Sequence, residues 1–255
     1  AKKPAAGVQT PGVQIPFANL KSEAEIKLEG SPSGLVFTTE ALIAAGPAVE
    51  RVNARTNKTG AAIAGVENAC GGILNAFASL WTVNCTSRTL VKLDAKEAKV
   101  KASIEAGAVT APFALAASSD SVWLLADSKT SLLRIDPKEH TPVADIRLPA
   151  ACSSILFADS SLWVACPSVD KVLRINPATN LVDKRLDVPG QPYALTFGEG
   201  SVWALAKKDG KVSQIDPKTN KVSATVELNI PNAEGSIAFG DGSVWVSAPG
   251  FPITR

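Results

Sequence analysis

The tryptophans of this chain recur at a nearly constant interval, and this regularity limits the possible folds more than any other feature. They are Trp81, Trp123, Trp163, Trp203 and Trp245. An Asp or Asn follows each of the first four at the same distance along the chain, at Asp94, Asp136, Asn176 and Asp216. A period of about 40 residues indicates a repeat architecture, in which each unit buries its faces against its neighbours.

The pattern inside one repeat predicts four short strands, which we name A to D. The strands are "PYALTF", "SVWALA", "KVSQI" and "KVSATVEL", joined by "GEG", "KKDG" and "DPKTN". In the last strand, apolar residues from Val222 to Leu228 alternate with polar ones, a period of two that is typical of a strand. "DPKTN" and "NPATN" have the chemistry of type I turns. Four-stranded units of about 40 residues predict an all-β fold, the β-propeller, with the tryptophans as core between blades.

The repeats predict a domain division. Residues 1–22 form an extended tail, and residues 23–255 form the propeller, with five full blades at 31–229 and a partial blade at 233–255. Blade 1 has Ile43 where the other blades have Trp. The segment "EAEIKLE" (23–29) alternates like a D strand and is predicted to close the ring, since propellers commonly pair an N-terminal strand into the last blade. Two alternatives follow: six blades if the chain closes on itself, or seven if a C-terminal segment, or a second polypeptide fragment, is missing.

Two segments, "VLRINPATNLV" and "VSQIDPKTNKV", together with "GSVWV" and "GSVWALA", resemble the YVTN-type β-propeller repeat family, close to the virginiamycin B lyase-like propellers. The resemblance covers residues 31–255 and implies a secreted or periplasmic bacterial propeller, typically of seven blades. The lyase of that family acts through paired histidine and glutamate residues on one face. This chain has a single histidine, His140, in the C-to-D turn "DPKEHT", on the opposite face, so the resemblance does not carry the activity over.

Four cysteines form two local pairs, Cys70 with Cys85 and Cys152 with Cys166. Because each pair spans an antiparallel A–B hairpin, we expect both to form disulfides. Two disulfides indicate an oxidising compartment, hence a periplasmic or secreted protein. The sequence contains no CxxC motif, the pattern that would indicate a structural metal site.

Charge and hydropathy exclude two classes of partner. The net charge is only +2, which gives no reason to expect nucleic acid. No apolar run approaches the roughly 18 residues of a membrane span. A protein or a small molecule is therefore the expected partner.

Polar residues in the D-to-A and B-to-C loops supply the candidate ligand site. At a fixed distance before each Trp or its equivalent, near the start of strand A, five members of the column are Pro or Cys and the sixth is Glu234. The neighbouring candidates are Glu67, Asn68, Arg88, Gln191, Tyr193 and Asn232. One hypothesis is a small polar or cationic ligand held by Glu234 and Glu67, with Tyr193 packing on it. The alternative is that all seven are solvated loop residues.

The sequence predicts no catalytic residue and no cofactor, although two carboxylates on separate blades would suit a divalent metal. We therefore expect a noncatalytic extracytoplasmic propeller that binds a partner through one face. The alternative function is a metal-dependent enzyme of the lyase or lactonase kind, with acidic residues at the channel mouth.

Overall fold

The computed structural model describes residues 14–15, 19, 21, 24–39, 41–94, 96–97, 99–107, 114–126, 129–228, 230, 235–247 and 253–254. These residues form an all-β structure of six antiparallel sheets, each corresponding to one predicted blade. The chain divides into two compact units, one of Ser22–Pro149 and one of Ala1–Lys21 with Ala150–Arg255. The first strand, β1 (Gln14–Ile15), belongs to the second of these units.

Three blades make up the unit Ser22–Pro149. Blade 1 has three strands: β2 (Gly34–Phe37), β3 (Ala41–Ala45) and β4 (Val49–Asn53). Blade 2 has four: β5 (Ala69–Ala76), β6 (Ser79–Asn84), β7 (Thr89–Asp94) and β8 (Lys99–Glu105). Blade 3 also has four: β9 (Leu115–Ala117), β10 (Val122–Ala126), β11 (Ser131–Asp136) and β12 (Thr141–Arg147).

Three further blades make up the second unit. Blade 4 contains β13 (Ser154–Ala158), β14 (Ser161–Cys166), β15 (Lys171–Asn176) and β16 (Leu181–Asp187), with a 3-10 helix at Pro167–Val169. Blade 5 contains β17 (Pro192–Gly198), β18 (Ser201–Ala206), β19 (Lys211–Asp216) and β20 (Lys221–Glu227). Blade 6 contains β21 (Ser236–Gly240), β22 (Ser243–Ser247), β23 (Ile253–Thr254) and β1.

The C-to-D turns explain why an Asp or Asn recurs at a fixed place in each repeat. In blade 3, the Asp136 carboxylate accepts hydrogen bonds from the backbone N–H groups of Lys138 and Glu139, at 2.7 and 3.0 Å. His140 ends this turn with a positive φ of 59°. The short side chain of Asp or Asn can bond its own turn in this way, so the residue fixes where strand C reverses.

The tryptophans pack between neighbouring blades, as the sequence predicts. Trp81, Trp123 and Trp163 are fully buried. Trp81 of blade 2 packs with Val122 and Leu124 of blade 3, and Trp163 of blade 4 packs with Val202 of blade 5. Most of the indole N–H groups also donate to a backbone carbonyl of the A-to-B turn, for example Trp163 to Ala158 at 3.1 Å. The buried Trp81 and Trp163 rings therefore each join two sheets without leaving the indole N–H unpaired.

Blade 1 differs from the predicted full blade in its last strand. Residues 58–63 follow β4 without forming a continuous ladder. One isolated bridge joins Thr59 to Val52, and the amides of Gly60 and Ile63 donate to Arg51 and Val49, at 2.7 and 2.8 Å. The stretch "KTGAAI" contains a glycine and no alternating apolar pattern, so it lacks the side chains that favour a regular strand.

The closing strand also lies elsewhere than predicted. Residues 24–28 carry no strand pairing, although Ile26 and Leu28 are half-buried between exposed neighbours. Instead, β1 completes the sheet of blade 6, with Gln14 opposite Thr254 and Ile15 opposite Ile253. An alternating pattern determines which side chains face inward, but it does not determine the strand edge with which a segment pairs. The predicted domain bounds and the number of blades in the native protein stay predictions.

Candidate functional site

Each blade has two ends with different architecture. We call the end that carries the D-to-A and B-to-C loops the loop end, and the end that carries the A-to-B and C-to-D turns the turn end. Both predicted disulfides are present, Cys70–Cys85 in blade 2 and Cys152–Cys166 in blade 4. Each bridge joins the start of strand A to the end of strand B. The disulfides therefore brace the loop end, where the sequence places its candidate residues.

In the unit Ser22–Pro149, three candidates lie on exposed, ordered backbone beside the Cys70–Cys85 bridge. Glu67, Asn68 and Arg88 are all exposed. The Asn68 N–H donates to the Pro47 carbonyl at 3.0 Å, and the Asn68 carbonyl accepts from the Cys85 N–H at 3.1 Å. Asn68 and Arg88 both have positive φ, 60° and 59°. The backbone is held in place here, while the side chains face solvent.

In the second unit, the loops of blades 4 and 5 are bonded to one another. We define the blade 4–5 loop cluster as Ser153, Asp170, Gln191, Tyr193 and Lys207. The Gln191 N–H donates to Asp170 Oδ1 at 2.7 Å, and the Ser153 hydroxyl donates to the Tyr193 carbonyl at 2.6 Å. The Lys207 N–H donates to the Gln191 carbonyl at 2.8 Å. These bonds hold the backbone of the two loops together.

Tyr193 is half-buried within this cluster and has a cationic neighbour. The Lys207 ammonium lies 6.0 Å from the centre of the Tyr193 ring, at the outer limit of a cation–π contact. The sequence predicts that this ring packs on the ligand. A cationic ligand would therefore compete with Lys207 for the ring, whereas a polar or anionic group would meet the ammonium and the phenol together.

A glycine leaves room for a carboxylate beside the cluster. Gly190 has φ 93°, and a Cβ at this position would collide with the Asp209 carboxylate. Asp209 forms an ion pair with Lys211 at 3.3 Å, and this neighbour raises the pKa of Lys211 above its ordinary value. The other Asp209 oxygen is buried, and no described residue bonds to it. Only glycine satisfies both the backbone angle and the close approach.

Two of the seven candidates, Glu234 and Asn232, lie outside the described residues. The hypothesis of one ligand shared by Glu234, Glu67 and Tyr193 therefore stays a prediction. Across the described part of the chain, no three His, Cys, Asp or Glu side chains lie close enough together to hold a metal ion. No described helix is long and apolar enough to cross a bilayer.

The single histidine lies at the turn end. His140 Nε2 is 3.1 Å from the Lys92 Nζ of the preceding blade, which also donates to the Pro137 carbonyl at 2.9 Å. The Lys92 ammonium lies over the Trp81 ring, 5.4 Å from its centre. His140 therefore belongs to a contact that joins blades 2 and 3.

A column of residues opposite the tryptophans was not predicted from the sequence. The strand registers pair Trp81 with Lys92, Trp123 with Arg134, Trp163 with Arg174 and Trp203 with Gln214. Each partner follows its Trp at the same distance along the chain, so the signal was present in the spacing. Asp170 and Lys207 of the loop cluster had no comparable signal, because Asp170 bonds to the loop of the next blade and Lys207 meets Gln191 and Tyr193 only once blade 5 is folded.

Comparisons with known proteins support the fold. No protein-family model matches the chain, and a comparison with curated proteins finds no match. Solved structures do match. Virginiamycin B lyase from Staphylococcus aureus is similar with a TM-score of 0.71 at 15% identity, over 85% of this chain and 77% of that one. A catalytically inactive variant of that lyase with quinupristin gives 0.73 at 16% identity, over 86% and 78%.

A computationally designed protein, Ika8, is also similar, with a TM-score of 0.72 at 16% identity over 90% of this chain and 72% of that one. The natural lyase and the designed protein therefore resemble the fold of this chain to a similar degree. The chain has the β-propeller fold of the virginiamycin B lyase-like structures, and the likeness extends to the fold alone.

Proposed function

We propose that this chain is a noncatalytic binding module that works outside the cytoplasm, in the periplasm or after secretion, and that it recognises its partner through the loop end of its blades. The observation that carries the proposal is the blade 4–5 loop cluster. Its backbone is bonded across two blades, and it displays a half-buried aromatic ring beside an ammonium group. Surface loops held on a rigid scaffold are the usual place of recognition in folds of this kind.

Preorganisation is what favours binding here. Ordering a loop when a ligand arrives costs free energy, so loops that are already fixed bind more tightly with the same contacts. The Cys152–Cys166 bridge stands directly before Ser153, whose hydroxyl reaches the next blade. The disulfide and the hydrogen bonds together support a surface that needs little adjustment to receive a small polar molecule or a protein loop.

A lyase or lactonase activity is the second candidate, favoured by the structural likeness to virginiamycin B lyase. Against it stands the chemistry of this chain. Its single histidine, His140, contacts Lys92 at the turn end. Elimination by a lyase needs a base that removes a proton beside the bond that breaks, and histidine is the side chain that most often serves as such a base. We therefore place recognition ahead of catalysis.

An NMR ligand screen on isotope-labelled protein tests the proposal. Small polar, cationic and anionic compounds are added singly, and the shifted backbone amides are mapped onto the chain. We expect the binding compounds to shift the amides of residues 153, 170, 191, 193 and 207, and to lose affinity in Tyr193→Ala. Val222→Ala, which removes an exposed apolar side chain from strand D of the same blade, is the matched control and should leave the affinity unchanged.

Hits that shift only turn-end amides, or that bind Tyr193→Ala as well as the unchanged protein, would contradict the proposal. The enzymatic alternative is tested with virginiamycin B, with and without Mg²⁺. A lyase breaks a bond without adding water, so the reaction is followed by separating substrate from product by chromatography. We expect no conversion. Conversion lost in Glu234→Gln, with a stoichiometric metal lost from the same variant, would favour the enzyme.

A further inference from the structure

The two disulfides of this chain differ in how deeply they are buried. Cys152 and Cys166 are 1% and 0% exposed. Cys70 and Cys85 are only partly buried. Both bridges lie at the loop end of a blade, and they close loops of nearly the same length, 15 and 14 residues. They therefore differ mainly in the structure that surrounds them.

The Cys152–Cys166 bridge is held by regular sheet. Strands β13 and β14 pair without a register shift, and the Ser153 N–H adds a bond to the Ala165 carbonyl at 2.8 Å. Cys166 is itself the last residue of β14 and pairs on its other side with Lys171 of β15. A reagent in solution can reach these sulfur atoms only after the strands around them separate.

The Cys70–Cys85 bridge lies at an irregular place in its blade. Strands β5 and β6 shift register between Ala69 and Ile73, so that three residues of β5, including Cys70, stand against one residue of β6. Such a bulge locally disrupts the ladder, and two glycines directly after Cys70 add backbone freedom. Cys85 follows the end of β6, in the B-to-C loop. This end of blade 2 can therefore open while the ladder from Ile73 onward stays paired.

A dithiol reduces a disulfide in two exchange steps. Its thiolate attacks one sulfur of the bridge and releases the other cysteine as a thiolate, and its second thiol then attacks the mixed disulfide. Two electrons pass to the protein, the dithiol becomes a disulfide, and its two protons end on the cysteine thiols. The rate of the first step depends on whether the thiolate can reach the sulfur.

We propose that Cys70–Cys85 is a redox switch that dithiols open in the folded protein, whereas Cys152–Cys166 stays closed as a structural bridge. The difference in burial and the bulge at Cys70 carry the proposal. The switch acts on blade 2 and does not depend on the proposed function, which rests on blades 4 and 5.

Opening the switch should loosen the loops of blade 2. The Cys85 N–H donates to the Asn68 carbonyl at 3.1 Å, and the Asn68 N–H donates to the Pro47 carbonyl of blade 1 at 3.0 Å. The bridge is the covalent tie beside these bonds. Its reduction frees the segment that carries Glu67 and Asn68, and the loop that carries Arg88, while the blade 4–5 loop cluster keeps its order.

The test is timed reduction of the folded protein with dithiothreitol. Samples are blocked with N-ethylmaleimide and digested, and peptide masses give the labelled fraction of each cysteine pair. We expect Cys70 and Cys85 to be labelled about tenfold faster or more than Cys152 and Cys166, because local opening costs less free energy than separating the strands of a blade. In denaturing urea both pairs should react at similar rates, which controls for the intrinsic reactivity of each bridge.

The dependence on denaturant separates local from global opening. Below the unfolding transition, added urea should hardly change the rate for Cys70–Cys85 and should steeply raise the rate for Cys152–Cys166. Equal rates for the two pairs in folded protein, or the same dependence on urea, would overturn the proposal. Faster opening of Cys152–Cys166 would overturn it as well.

A double variant tests the structural consequence without a reductant. Cys70→Ala with Cys85→Ala represents the open switch, and hydrogen exchange at the amide of residue 85 should be about tenfold faster or more than in the oxidised parent. The amide of Gln191 is the internal control and should exchange at an unchanged rate. The same result is expected for the parent after its Cys70–Cys85 bridge alone is reduced. Unchanged exchange at residue 85 in both proteins would overturn the proposal, because the bridge would then control no motion.

Discussion

At the scale of single residues, the side chain opposite each tryptophan does more than cover it. Arg174 stacks over Trp163 within its own blade, and its guanidinium donates to the Pro217 carbonyl at 2.5 Å and to Asn220 Oδ1 at 2.9 Å in the next blade. Lys92 makes the same kind of link from blade 2 to blade 3. One cation therefore joins the apolar core of a blade to the polar turn of its neighbour.

Replacing Arg174 by Met tests this link. The side chain is only 20% exposed, so its charge-assisted hydrogen bonds are little screened by solvent. We expect Arg174→Met to lower the free energy of unfolding by about 1–3 kcal/mol, because these bonds are lost and their acceptors lose a partner. Denaturant unfolding measures the change.

Lys184→Met is the control for Arg174→Met. Lys184 lies opposite Arg174 on the neighbouring strand and is exposed, so its loss should change stability by less than about 0.5 kcal/mol. Equal effects of the two substitutions would mean that Arg174 contributes only as a surface charge.

The sequence predicted the tryptophans as core because regular apolar spacing is a direct consequence of packing. It did not predict the column of Lys92, Arg134 and Arg174, because a charged residue in a strand is ordinarily a solvated one. The strand register and the side-chain contacts show that the charged groups of these residues lie over the rings, and that those of Lys92 and Arg174 also bond to the turn of the next blade.

At the scale of elements, the two disulfides close loops of 15 and 14 residues within single blades. Removing the second bridge with Cys152→Ala and Cys166→Ala together should lower the free energy of unfolding by about 3 kcal/mol, because the unfolded chain regains the entropy of an open loop. The double substitution leaves no unpaired thiol. Thermal unfolding of oxidised protein measures the effect.

A specific result would contradict this prediction. The double variant must also be compared with the unchanged protein under reducing conditions, where both bridges are open. If the variant is as stable as the oxidised parent, the Cys152–Cys166 bridge contributes nothing to folding, and its role at the loop end must be sought elsewhere.

The C-to-D turns should make the free energy of unfolding depend on pH in the acid range. Hydrogen bonds from the backbone of Glu139, and also from Lys138, hold the pKa of the Asp136 carboxyl below its ordinary value. The unfolded chain therefore binds a proton more readily than the folded one. The stabilisation is present above about pH 4 and is lost as the pH falls through the lower folded pKa.

Asp136→Asn is the variant that tests this dependence. Asparagine keeps the oxygen that accepts the turn amides, as Asn176 does in blade 4, but it cannot titrate. Urea midpoints measured between about pH 5 and 2.5 should fall less steeply in Asp136→Asn than in the unchanged protein. Asp183→Asn, on an exposed strand position, should leave the slope as it was. Identical slopes for all three proteins would mean that the Asp136 carboxylate does not cause the loss of stability in acid.

The elements also show where prediction from sequence stops. Period-two alternation located strands such as β20 well, because it reports which face is buried. The same pattern in residues 23–29 indicated a closing strand, yet the short strand at Gln14–Ile15 is the one that pairs. Pairing depends on which edge a segment reaches in three dimensions, and alternation carries no information about that.

At the scale of the whole molecule, the repeat was sufficient to predict the all-β propeller fold, because each unit needs its neighbours to bury its faces. The candidate site was less predictable. The sequence supplied Gln191 and Tyr193, but not Asp170, Ser153 or Lys207, which hold the loops together through bonds to or from the backbone. Residues that recur in every blade determine the scaffold. A site depends on residues that differ from the repeated pattern, such as Gly190.

The proposed function requires that the loops of blades 4 and 5 are ordered before any ligand binds. Native-state hydrogen exchange tests it at the amides of Gln191, Lys207 and Lys208, which donate to Asp170, Gln191 and Gly190. We predict exchange slower than that of an unstructured peptide by roughly 100-fold or more. Exchange at the rate of an unstructured peptide would contradict the claim, because loops that open freely cannot form a preorganised binding surface.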